Sequence, residues 1–241
     1  MGTPARSAVA AGEVGVIVLV AFAPGRGFRA ALWLAIGRWA IRSCAGLSFY
    51  KILGSGREGG FRAAPGLSRQ GVFCAFRTEA DADAFLASAP AMRFLRAHTS
   101  EHFYAKLRAV SSRGQWSGRI PLAVTANLEP GSPVASLTRA SIRPMKALAF
   151  WRHAAPSERA LHAAPGCLLA SGLGEAPLVR QATFTIWKSP EAMEAFARTG
   201  AHLDAIRATR AGNYFSEELF VRFIPYDMRG TWKGARFEIQ K

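Results

Sequence analysis

Two stretches of this chain carry the same pattern at a fixed interval. Arg69-Gln70-Gly71-Val72-Phe73-Cys74-Ala75-Phe76 corresponds to Arg180-Gln181-Ala182-Thr183-Phe184-Thr185-Ile186-Trp187, 111 positions later. The same offset aligns Asp83 with Glu194 and Phe85 with Phe196. Further on, Phe103 aligns with Phe215 at 112, and Trp116-Ser117-Gly118 with Trp232-Lys233-Gly234 at 116. Small loop insertions between two copies of one domain produce such a growing offset, and the period is too long for a solenoid repeat. The pattern predicts two homologous domains, 13–119 and 120–241, after a disordered N-terminus, 1–12. Two related sheets packed face to face would enclose one asymmetric pocket.

The 241 residues suffice for two domains of that size, and half of them are hydrophobic, enough for a substantial core. No apolar run approaches the length of a transmembrane helix. The longest candidate, Val14 to Phe22, reads as a buried strand. Arg6 precedes an apolar run, but Glu13 interrupts it and no small-residue cleavage site follows, so a secretory leader is not expected. Cys44, Cys74 and Cys167 form no CxxC and suggest a reduced, cytoplasmic setting.

The formal net charge is +15 and unevenly spread. Residues 1–75 hold nine Lys and Arg against Glu13 and Glu58, and residues 103–157 hold eight against Glu129 alone. Nucleic acid, an anionic membrane surface and an acidic protein all fit such a balance. Zinc-finger spacing, an RNP sequence and a KH-type loop are missing, so no nucleic-acid partner is expected. Membrane and acidic protein lead, with a basic surface that binds nothing as the plain alternative.

Periodicity predicts β-α-β-β-α-β twice, an α+β fold of tandem ferredoxin-like units of the dimeric α/β-barrel type. Val14–Phe22, Leu47–Leu53, Gln70–Phe76 and Phe103–Val110 are the strands of the first unit. Gly27–Cys44 is its first helix, and Thr78 caps a second that Pro90 interrupts. In the second unit the strands are Val134–Ile142, Cys167–Gly172, Val179–Trp187 and Phe215–Ile224. Met145–His162 is its first helix, disturbed at Pro156, and Ser189-Pro190-Glu191 starts another that Thr199-Gly200 breaks. Gly54-Ser55-Gly56 and Gly172-Leu173-Gly174 read as tight turns after equivalent strands.

Hydrolase, zincin, phosphate-loop and dinucleotide-binding motifs are absent from the sequence. Of the histidines, His98 and His102 stand four apart without a third ligand. His202 follows the break at Thr199-Gly200, where a side chain is free to enter a pocket, and one His suffices to hold a haem iron. An ordinary half-exposed helix residue is the plain reading of the same position.

Several segments, in order, resemble the spheroidene monooxygenases of photosynthetic bacteria. They include Gly46-Leu47-Ser48-Phe49-Tyr50-Lys51-Ile52-Leu53-Gly54-Ser55-Gly56, Arg139-Ala140-Ser141-Ile142-Arg143-Pro144 and Phe150-Trp151-Arg152. Ala164-Pro165-Gly166-Cys167, Gly172-Leu173-Gly174-Glu175-Ala176-Pro177, Thr199-Gly200-Ala201-His202-Leu203 and Phe215-Ser216-Glu217-Glu218 continue the resemblance, which spans Val14 to Lys233. It implies an acyclic carotenoid 2-ketolase that uses haem b, O2 and reduced ferredoxin to convert spheroidene, through a hydroxylated intermediate, to spheroidenone. It implies His202 as axial iron ligand, with His98 and His102 as alternates. Arg139, Arg143 and Arg152 are then candidates for pairing haem propionates, against a plain reading as surface charge. A cytoplasmic enzyme peripheral to the intracytoplasmic membrane would meet its apolar substrate there, and an acidic ferredoxin would suit a basic surface. Two rivals stay open: a cofactor-free monooxygenase or isomerase on the same fold, and a non-enzymatic carotenoid or lipid carrier.

Overall fold

A computed structural model describes residues 12–56, 65–176 and 178–239. Apart from Gly12, the N-terminal segment expected to be disordered lies outside the described residues. The first half runs β1 (Val14–Phe22), α1 (Gly27–Arg42), β2 (Leu47–Gly56), β3 (Pro65–Phe76), α2 (Glu79–Ser88), α3 (Pro90–His98) and β4 (Thr99–Gly114). The second runs β5 (Val134–Ile142), a 3-10 turn (Pro144–Lys146), α4 (Ala147–His162), β6 (Cys167–Ala176) and β7 (Arg180–Trp187). It continues with α5 (Pro190–Ala197), α6 (Gly200–Ala211), β8 (Phe215–Trp232) and a hairpin strand β9 (Ala235–Ile239). Local chemistry sets the helix starts. The hydroxyl of Thr78 accepts from the Asp81 N–H at 3.2 Å, and that of Ser189 from the Ala192 N–H at 3.3 Å.

The strands form one sheet in the order β4-β1-β3-β2-β6-β7-β5-β8-β9, and β8 also pairs with β4. Eight strands therefore close into a barrel, all neighbours antiparallel. Read from its closing strand, each half has the same order: β4-β1-β3-β2 and β8-β5-β7-β6. The β4–β8 seam is long, from Phe103↔Gly230 to Gly114↔Leu219, whereas among the described residues β2 pairs with β6 at Gly54↔Gly174 alone.

Closure corrects the pocket between two facing sheets. Inward residues of both halves, among them Leu19, Phe73, Phe103, Leu137, Phe184 and Phe223, fill the barrel as one core. Any large ligand must bind outside that core.

The glycine-rich segments are also corrected, because they lie inside β2 and β6 rather than in turns. Gly54 and Gly174 are the residues that pair across the thin seam, and a Cβ on Gly174 would come within 2.8 Å of the Arg180 carbonyl oxygen. The third correction concerns register. Phe103 pairs with Leu19 and Leu219 with Arg139, so Phe103 corresponds to Leu219, not Phe215. The offset of 116 that aligns Trp116 with Trp232 already applies there, because the helical connection 188–214 is five residues longer than its counterpart 77–98.

Glycine is required at both ends of the long seam. Gly114 and Gly230 have φ of +88° and +108°, and a Cβ on either would collide with a backbone carbonyl of the facing strand, Glu218 or His102. Gly230→Ala is expected to destabilise the protein by at least about 2 kcal/mol, read as a melting temperature lower by roughly 4–8 °C. A melting temperature unchanged by the substitution would contradict this role.

Candidate functional site

The outer faces of the two half-sheets differ where the order of strands is the same. On the first half, one row across the sheet reads Tyr104, Val18, Val72, Ile52, and the next reads Lys106, Val16, Cys74, Tyr50. The corresponding rows on the second half are Phe220, Thr138, Thr183, Gly172 and Arg222, Ser136, Thr185, Ala170. Small and hydroxylated residues have replaced most of the bulky apolar ones. Burying a Val, Leu or Ile side chain contributes about 1.5–3 kcal/mol, so the second half forgoes several kcal/mol of packing here.

The helices follow the same division. The first-half outer core takes Ala30, Trp33 and Ile41 from α1, Ala82, Phe85 and Leu86 from α2, and Ala91, Met92 and Leu95 from α3. In the second half α4 buries only Leu161 and α6 buries no residue. These two helices pack chiefly on each other. Beneath them Ser136, Thr138 and Thr183 stay partly accessible to solvent, while Val16, Val18 and Val72 are at most 1% exposed. The space between the second half-sheet and its helices is therefore incompletely filled by protein.

His202 stands at one end of that space, on the first turn of α6. Its Nδ1 lies 2.9 Å from the Ser157 hydroxyl of α4, and its ring stacks on Phe196 at 4.6 Å between centroids. Phe196 in turn packs on Trp187 at the end of β7, which ties the histidine to the sheet. No hydrogen bond reaches His202 Nε2 from the described residues. Burial lowers the His202 pKa below its ordinary value, which favours neutral imidazole, the form that ligates metals. At the other end Phe150 packs against Trp151 and Phe215, and the Trp151 indole donates to the Leu178 carbonyl at 3.0 Å.

His98 and His102 lie in the other half. His98, at the end of α3, meets Phe94 edge to face, while His102 sits on β4. His98 Nδ1 and His102 Nε2 are buried without a hydrogen-bond partner. Burial, with the nearby Arg96 charge, lowers the His102 pKa to about 4. No group of three or more His, Cys, Asp or Glu among the described residues has the arrangement of a metal site.

The three arginines do not meet. Arg143 and Arg152 are exposed, just before and within α4. Arg139 points into the barrel end, 2% exposed, and its guanidinium is already occupied by carboxylates of the protein itself. Arg139 Nε and Nη2 donate to Glu175 Oε2 at 3.2 and 2.9 Å, and Nη1 donates to Glu217. The Trp116 indole donates to the same Glu175 oxygen at 2.9 Å, and Lys51 Nζ to the other at 2.8 Å. Burial alone would raise the Glu175 pKa, but Lys51, Trp116 and Arg139 together hold it below the ordinary value. This buried ion network plugs one mouth of the barrel and contains no free acid–base pair. Its members are dispersed over four strands and a loop, so sequence spacing could not have revealed it.

A closed α/β barrel with one loosely covered outer face defines the class of protein. Among solved structures, an aldoxime dehydratase shares the fold at a TM-score of 0.59 and 11% identity, covering 91% of this chain and 83% of its own. Among curated proteins, the spheroidene monooxygenase of Rubrivivax gelatinosus is 46% identical over 98% of this chain and 90% of its own length. That of Rhodobacter capsulatus is 39% identical over 78% of this chain and 79% of its own. The chain belongs to the spheroidene monooxygenase family. No protein-family model matches it.

Proposed function

We propose that the protein is a haem-dependent carotenoid monooxygenase whose cofactor lies between the second half-sheet and helices α4 and α6. The observation that carries the reading is the outer face of β5–β8, lined by Ser136, Thr138, Thr183 and Gly172 where the first half has Val16, Val18, Val72 and Ile52. These residues fit a flat macrocycle: small side chains below, and at one end a half-buried His whose Nδ1 is held by Ser157 while Nε2 has no hydrogen bond among the described residues. Haem, when bound, supplies the O2 chemistry. We further read residues 13–119 and 120–241 as two copies of one domain, of which only the second retains a ligand site.

The protein's part is positioning. Ser157 fixes the orientation of His202, as the outer partners of metal-binding histidines do. Arg143 and Arg152 are the remaining candidates for the propionates. Phe150, Trp151 and Phe215 offer an apolar wall for a polyene end, and holding one carbon in place selects C2 among many similar carbons. The reaction proposed is C2 ketolation of an acyclic carotenoid, spheroidene to spheroidenone, through a hydroxylated intermediate. Reduced ferredoxin would supply electrons, and the protein would work in the cytoplasm, peripheral to a membrane that holds its substrate. In the described residues no helix is long and apolar enough to cross a membrane.

Filling the space tests the location. Thr183→Phe with Thr138→Val puts apolar bulk where the first half carries Val72 and Val18, and more of it at position 183 than Val72 supplies. The double variant is expected to fold with a melting temperature at or above wild type, yet to take up no haem and to form no ketocarotenoid. Normal haem uptake by this variant would move the site elsewhere.

A further inference from the structure

Strands β2 and β6, paired at Gly54↔Gly174, are each covered by a helix whose outer face is both apolar and basic. Helix α1 exposes Phe28 (76%), Ile36 (46%) and Trp39 (49%), and the Arg38 guanidinium lies 4.3 Å above the Trp39 ring. The segment around the start of α4 exposes Met145 (94%) and Leu148 (69%) beside Arg143, Lys146 and Arg152. No acidic residue occurs in α1, nor between Arg143 and Ser157.

The topology brings these two segments to one end of the barrel. Helix α1 ends at the start of β2, and α4 begins at the end of β5. Strands β1, β4, β8 and β5 are antiparallel in turn, so the start of β1 and the end of β5 share that end. Strand β2 runs parallel to β1 through β3, which puts its start there as well. At this same end, beside the last residue of α1, lies a cleft of about 400 Å³ lined by Arg42, Ser48, Lys51, Ser117 and Arg119. Lys51 is neutralised by Glu175 at 2.8 Å, while neither Arg42 nor Arg119 is paired with a carboxylate among the described residues.

We propose that this end of the barrel is a docking face for an anionic phospholipid bilayer. Trp39, Met145 and Leu148 enter the interface, and the Arg42–Arg119 cleft receives a lipid phosphate. An aromatic and aliphatic face studded with Arg and Lys is the surface that an interfacial helix presents to anionic lipid. Apolar side chains as exposed as Met145 and Leu148 favour lipid over an acidic protein, for which charge alone would serve. The first turn of α4 also carries Phe150, which we place on the substrate wall, so docking would bring the site's apolar end close to the membrane. The inference rests on the membrane-peripheral reading above, but vesicle binding is scored without haem or carotenoid. Failure of the docking face and failure of the cofactor assignment are therefore distinguishable.

Flotation with vesicles of phosphatidylcholine alone and of phosphatidylcholine with phosphatidylglycerol tests it. The wild-type chain is expected to float with the anionic vesicles only and to be released by high salt, since such attraction is screened within about a nanometre at physiological ionic strength. Arg42→Glu with Arg119→Glu should lower partitioning at least about tenfold. Trp39→Ser with Leu148→Ser should lower it comparably while circular dichroism stays at wild type. Arg229→Glu with Arg236→Glu on the β8–β9 hairpin makes the same change in net charge away from the face and should bind nearly as the wild type does. Brominated lipid should quench tryptophan emission in the wild type, and Trp39→Phe should remove most of that quenching. Failure to bind anionic vesicles, equal loss in the hairpin variant, or wild-type binding by both face variants would each overturn the proposal. In the last case an acidic protein becomes the better occupant.

Discussion

Alanine at position 202 is expected to leave a folded protein without a Soret band and without ketolase activity. The expectation combines three features of the site. His202 is half-buried and neutral in tendency, its Nδ1 is anchored by Ser157 at 2.9 Å, and its Nε2 meets no hydrogen-bonding partner in the described residues. Alanine removes little packing here, because α6 buries none of its residues, so circular dichroism and melting temperature should stay near wild type. Ser157→Ala should keep the band but weaken haem affinity by about 10- to 100-fold, as loss of outer partners of metal ligands does. His98→Ala and His102→Ala, both in the other half, should leave the spectrum intact. A normal spectrum in the His202→Ala protein would show that the iron has another ligand.

The second large effect concerns stability. Arg139→Leu is expected to destabilise the fold by about 3–5 kcal/mol, the range seen when one partner of a buried ion pair is removed. Glu175 and Glu217 would then sit at the barrel mouth with only Lys51, Trp116 and backbone N–H groups of the 117–118 turn to hold their charge. The pH dependence has a definite sign. Both carboxyls are held below their ordinary pKa in the folded protein, so unfolded chains bind more protons once pH drops below the ordinary carboxylate range. Their contribution to wild-type stability is present above about pH 4.3 and is lost as pH falls through the lower folded values. In Arg139→Leu the same carboxyls titrate higher, so the gap between variant and wild type should narrow on acidification. Urea denaturation at several pH values measures this. A loss below about 1 kcal/mol, constant with pH, would mean that the network does not support the barrel.

Much of the fold was legible because its signals are local. Val14–Phe22, an apolar run, and Val134–Ile142 both read as strands and are β1 and β5 to the residue, and the caps at Thr78 and Ser189 start α2 and α5. The α/β-barrel type was expected and the sheet does close, but which strands form the seams was not legible, because β4–β8 and β2–β6 join strands more than a hundred residues apart. Without closure, Gly54 and Gly174 read as turn residues rather than as a seam, and Arg139 read as free rather than as the centre of an ion network. The candidate site was half legible. His202 stood out through the Thr199-Gly200 break, which the structure keeps as the start of α6. The lining could have been found by comparing the copies strand by strand, since Val72 against Thr183 is visible in the repeat itself. For β5 and β8 that comparison needs the register, where the Phe103–Phe215 match was four residues out.

Turnover by the purified chain with and without haem tests the central claim most directly. Spheroidene, O2 and reduced ferredoxin are supplied to both forms, and the carotenoid products are separated and weighed by mass spectrometry. The haem-loaded protein should form the C2 ketocarotenoid with oxygen drawn from O2, and the haem-free protein should form none. Equal product from the haem-free protein would contradict the account and favour the cofactor-free rival. Carotenoid bound unchanged by both forms would contradict it in favour of a carrier.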